Sequence, residues 1–85
     1  MNEKEALSYL AQNLTDVLET EGVTQNELAL MIKKRGENLS TINARISRTV
    51  HARNMPSPAF LFRLCQALNC DMDSLFKKPK NIKVT

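Results

Sequence analysis

Tryptophan is absent from this chain, and one tyrosine and three phenylalanines are its only aromatics. No aromatic residue falls between Thr24 and Arg48, so RNA binding, which stays open, has no evident stacking pair there. The two glycines, Gly22 and Gly36, are too few for a nucleotide-cradling loop. Proline occurs only at 56, 58 and 79, which leaves the first two thirds of the chain free to form helices. The single histidine, His51, and the two cysteines, Cys65 and Cys70, give neither a C-x-x-C spacing nor a Cys–His pair, so no metal or redox centre is expected. Both thiols are expected to be reduced and partly buried. Without paired carboxylates either, the chain is not read as an enzyme, and no cofactor is implied. No run of about 18 apolar residues is present to cross a bilayer. The opening MNEKEALSYL lacks the basic start and apolar centre of a secretion signal, so a cytoplasmic location is expected.

What is present is helix-forming sequence with its charges sorted along the chain. Its 85 residues suffice for one domain around one modest core. The net charge of +3 is unevenly placed. Up to residue 30, Lys4 stands against Glu3, Glu5, Asp16, Glu19, Glu21 and Glu27. From 31 to 63, Lys33, Lys34, Arg35, Arg45, Arg48, Arg53 and Arg63 stand against Glu37 alone. A cation block of this kind suits a polyanion, although an ordinary solvated face accounts for the charge by itself equally well.

Apolar spacing predicts five helices. Leu7, Leu10, Ala11, Leu14, Val17 and Leu18 recur at steps of three and four, which gives a first helix over 3–21 with Gly22 as a left-handed cap. Tyr9 lies off the centre of that stripe. A second helix runs from Gln25 to about Lys34, opened by a capping box between Thr24 and Glu27 and turning Leu28, Ala29 and Ile32 inward. Gly36 permits a sharp turn, and Asn38 caps a third helix that ends between Val50 and Arg53. Ser57 and Pro58 start a fourth helix carrying Phe60, Leu61, Leu64, Cys65 and Leu68, and Asn69 ends it. Asp71 or Asp73 caps a short fifth helix through Met72, Leu75 and Phe76. The domain is thus set at 1–78, and 79–85 is a basic tail, expected to be either frayed or a short dimerisation strand.

The stretch from Thr24 to Arg48, two short helices around a glycine turn, has the helix-turn-helix pattern. With Ile42, Ile46 and Val50 inward at roughly 100° per residue, the third helix turns Ser40, Thr41, Ala44, Arg45, Ser47 and Arg48 the other way. Such side chains suit the edges of base pairs: Ser40 can donate or accept, Asn43 can pair bidentately with adenine, Ala44 can meet a thymine methyl, and Arg48 can reach guanine or phosphate. Ser40, Thr41, Asn43, Ala44, Ser47 and Arg48 are therefore the candidate base readers. Lys33, Lys34 and Arg35 suit the C-terminal dipole of the second helix and also a phosphate. With Arg45, Arg53 and Asn54 they form the candidate backbone-binding set. His51 is read as a surface or phosphate-proximal residue, not a ligand.

Taken together these residues resemble the lambda-repressor-like family of helix-turn-helix proteins, which includes the phage repressors and Cro. The resemblance rests on Thr24-Gln25-Asn26-Glu27-Leu28-Ala29, then Gly36-Glu37-Asn38-Leu39-Ser40-Thr41-Ile42-Asn43, then Pro56-Ser57, and finally the run from Ala67 to Phe76. It covers most of the chain in the family's order. It implies an all-α, five-helix DNA-binding domain in which Gln25 fixes the motif against phosphate, while Leu39, Ser40, Asn43 and Ala44 stand where relatives reach bases. Leu39 departs from the polar reader usual at its site, and its angle assigns it to the core. Three extra residues, best placed at Lys33-Lys34-Arg35, and a longer connection between Arg48 and Pro56 are further departures.

The resemblance and the basic face together lead to the expectation of a double-stranded DNA-binding transcriptional regulator. A repressor working as a homodimer on a pseudo-palindromic operator fits best, since one domain presents one reading helix. An antitoxin or co-regulator with a protein partner is the alternative within the same chemistry. A protein-interaction module with an acidic partner is the alternative outside it.

Overall fold

A computed structural model describes residues 2–79, and the regular structure among them is entirely helical: α1 (Glu3–Glu21), α2 (Gln25–Ile32), α3 (Leu39–Val50), α4 (Pro58–Leu68) and α5 (Met72–Leu75). The expected tail strand falls in 80–85, outside the described residues.

Each helix begins where a short polar side chain can take up free backbone amides. The Asn2 side chain accepts from the Glu5 amide at 2.8 Å, and Thr24 and Glu27 satisfy each other's amides in the capping box. Asn38 accepts from both Ser40 and Thr41, and Ser57 accepts from Phe60. Asp71 is the exception: it occupies the N-cap of α5 without a side-chain bond.

Three helices end in one motif. After α1, Gly22 turns left-handed, its amide bonds Glu19 O, and the Val23 amide bonds Leu18 O at 2.9 Å. After α4, Asn69 does the same, with the Cys70 amide on Cys65 O. After α3 the left-handed residue is Ala52, at φ 55°, and the Arg53 amide bonds Arg48 O at 2.8 Å. These paired bonds satisfy carbonyls that a helix end otherwise leaves open. Helix α2 stops differently and earlier than expected, at Ile32, because Lys33 turns extended, at ψ 129°. Lys33, Lys34 and Arg35 therefore belong to a turn over 33–38 and not to the last turn of α2.

The core is one cluster. Leu10, Leu14 and Leu18 from α1 meet Leu28, Ala29 and Ile32 from α2 and Ile42 and Ile46 from α3. Phe60, Leu61, Leu64, Cys65 and Leu68 from α4 and Leu75 from α5 complete it. Leu39 and Val50 pack against its edge, as their helical angle requires. Leu7, expected on the inner stripe, is only half-buried. Helix α1 packs on α3 and α5, and α2 packs on α3 and α4, so α3 is held from two sides. At about 1.5–3 kcal/mol for each fully buried leucine or isoleucine, this inner face fixes α3 far more firmly than its caps do. Asn13 ties α5 to α1 by donating to Leu75 O and Lys77 O, both at 2.7 Å.

Candidate nucleic-acid interface

Packing of Ile42, Ile46 and Thr49 into the body decides which side of α3 remains outside. Ser40, Thr41, Ala44 and Arg48 are exposed, while Asn43, Arg45 and Ser47 are half-buried on the flanks. The two flanks differ. Asn43 faces α2, where its Nδ2 donates to Asn26 Oδ1 at 2.9 Å. Arg45 faces α4, where its guanidinium lies 3.9 Å from the centre of the Phe60 ring. That stacking holds the charge at the border of the open face and draws on the ring's negative π-surface. Thr49 is buried, and its hydroxyl donates to Arg45 O, so the polar group is satisfied inside the helix.

Beyond Arg45 lies a cavity of about 180 Å³ lined by Arg45, Arg48, Asn54, Ser57 and Phe60 among others. At roughly 30 Å³ per water it has room for a phosphate-sized anion with part of its hydration. The two arginines and Asn54 are thus brought together. The other candidates are spread around them. Lys33, Lys34 and Arg35 are exposed in the turn before α3, and Arg53 lines a separate hollow with Asn2, Lys4 and Asn54. Gln25 is half-buried beside Val50 and Thr15, at the opposite end of α2 from the lysine turn. His51 bonds the Ser47 carbonyl through Nδ1 at 2.8 Å, which requires that nitrogen to carry the hydrogen.

One member of the basic block is neutralised. Arg63 donates to both carboxylate oxygens of Glu37 and to the Ile32 carbonyl, and this is the only ion pair among the described residues. The Lys34 amide adds a third donor to the same carboxylate at 2.6 Å. The Arg63 hydrogen bond, backed by that amide, lowers the Glu37 pKa to about 2. Lys33, Lys34, Arg35, Arg45, Arg48 and Arg53 have no ionic partner among the described residues, so six unpaired cations border the open side of α3 or lie in the loops at its ends.

The cysteines are both free, with Cys65 buried and Cys70 half-buried. Burial pushes the Cys65 thiol up to about 11 and raises Cys70 as well, so both stay protonated near neutral pH. No helix of the described residues is long and apolar enough to cross a membrane.

Sequence reasoning missed Asn26, Phe60, Arg63 and Glu37 as contributors to this region. Asn26 carried no signal, and Phe60 and Arg63 were legible only as a core residue and as one more cation. Comparison of the chain with protein-family models, curated proteins and solved structures finds no match.

Proposed function

We propose that this chain is a sequence-specific double-stranded DNA-binding regulator of the helix-turn-helix kind, a repressor that covers a pseudo-palindromic operator as a homodimer. The observation that carries this reading is the open outer side of α3. Small hydrogen-bonding residues, Ser40 and Thr41, stand there beside Ala44 and Arg48, and unpaired cations stand near both ends. A helix of this width and polarity suits the major groove, where each base pair offers a distinct set of donors and acceptors. The surrounding lysines and arginines supply affinity through counterion release, while the helix supplies preference. No covalent step is required of any residue.

Selection of bound sequences from a random duplex pool tests this reading. The expected result is a dyad-symmetric consensus that Arg45→Ala with Arg48→Ala weakens. A folded protein that enriches no sequence, or binds as well without those arginines, would overturn it.

A second reading, a co-regulator that works through a partner protein, draws on Leu30, Met31 and Phe62, large apolar side chains each more than half exposed. Single exposed apolar residues are ordinary on protein surfaces, so this observation weighs less. A stable heterocomplex in a pull-down, together with loss of sequence preference, would favour it.

A further inference from the structure

We infer that Asn26 sets the base preference of Asn43, so that a residue on α2, outside the reading helix, determines specificity. This rests on the DNA-binding reading and deepens it. The two amides meet at 2.9 Å with Asn43 Nδ2 donating to Asn26 Oδ1. An asparagine that reads adenine must offer its carbonyl oxygen to N6–H and one amide hydrogen to N7. Asn43 has two amide hydrogens and one oxygen. In this inference Asn26 takes up the hydrogen trans to the Asn43 oxygen and leaves the cis hydrogen and the oxygen, the pair adenine requires. The reverse arrangement, with Asn26 donating to the Asn43 oxygen, would occupy one lone pair of that oxygen and leave both Asn43 hydrogens free, which favours guanine, whose N7 and O6 both accept.

Geometry supports the division of labour. Asn43 is half-buried on the α2 flank of the open face, and Asn26 is exposed one residue beyond the start of α2. The contact joins positions 17 apart in the sequence, so each amide restricts the other through the packing of α2 on α3 and not through one helix's own geometry. An amide held in advance loses less rotational freedom on meeting a base, and the fixed orientation penalises the wrong base. Asn26 is therefore a positioning residue, with its own amide hydrogens still available to a phosphate.

The test compares consensus sequences selected by the full chain and by Asn43→Ala, Asn26→Ala and Asn26→Asp, each checked for an unchanged thermal transition. Asn43→Ala identifies the operator position it reads. The wild type is expected to prefer adenine there, and Asn26→Ala to reduce that preference about five- to tenfold, a part of the discrimination a good bidentate contact provides. Asn26→Asp keeps the acceptor and cannot donate, so the adenine preference survives while affinity for every duplex falls. Guanine at that position, an Asn26→Ala consensus identical to the wild type's, or an Asn26→Asp consensus as relaxed as that of Asn26→Ala would overturn the inference and leave DNA binding standing. A wild type that selects nothing would overturn both.

Discussion

Arg63 on α4 grips Glu37 in the turn before α3 with two hydrogen bonds, at 2.5 and 3.1 Å, and adds a third to the Ile32 carbonyl at the end of α2. One guanidinium thus fixes both the end of α2 and the turn that carries the chain into α3. Its planar fork suits a carboxylate and a carbonyl at once, which a lysine cannot match.

The pH dependence of this clamp has a definite sign. Glu37 is held at about 2 against an ordinary value of 4.5, so its contribution is fully present above pH 4.5 and is lost as the pH falls through about 2. Glu37→Gln should therefore be less stable than the wild type near neutrality. The two should converge as the solution is acidified toward pH 2. Chemical denaturation at a series of pH values measures this, and a difference that persists at low pH would assign the loss to something other than the ionised carboxylate.

Ala52 and Gly22 make a matched pair. Both are left-handed, at φ 55° and 67°, at the same step of the same helix-ending motif, and both are exposed. A side chain in that conformation is strained, while the space around Gly22 is open to an added Cβ. Ala52→Gly should raise stability by about 0.5–1 kcal/mol and Gly22→Ala should lower it by about 1 kcal/mol. At about 4–8 °C per kcal/mol for a domain of this size, thermal melting resolves both shifts.

Ala52 also shows where the sequence was silent. Gly22 and Asn69 were legible as helix ends because glycine and asparagine favour left-handed backbone, whereas alanine carries no such signal, and the end of α3 stayed open over several residues. The starts were clearer: Thr24, Asn38 and Ser57 cap where their chemistry says they should. Core positions followed from spacing, apart from Leu7, which is only half-buried, and Thr49, a hydroxyl residue whose burial depends on bonding its own helix. On the candidate surface, the exposed residues of α3 followed from helical angle alone. What that angle could not supply were partners from other helices, Asn26 for Asn43, Phe60 for Arg45 and Arg63 for Glu37, because these depend on how α2 and α4 dock.

The inner side of α3 should be separable from its outer side. Ile46 is fully buried on the inner side of α3, so Ile46→Ala should cost about 2–5 kcal/mol through lost burial and the cavity left behind. Ala44→Ser, on the exposed side of the same helix, should leave stability within about 0.5 kcal/mol of the wild type. Denaturant titration of the two variants checks the contrast. Equal losses would mean that α3 is oriented otherwise.

The salt dependence of duplex binding should distinguish free cations from the clamped one. Each phosphate contact removed lowers the magnitude of the slope of log K against log salt concentration by about 0.9. Arg45→Ala with Arg48→Ala should therefore flatten the slope by about 2 for each bound protomer, because both arginines lack an ionic partner among the described residues and line one cavity at the edge of α3. Arg63→Met combined with Glu37→Gln removes a positive and a negative charge already joined to each other. That double variant should weaken the fold and leave the slope where it was. A slope that falls as far in the second variant as in the first would mean that Arg63 leaves Glu37 for the DNA, and that the clamp opens when the duplex binds.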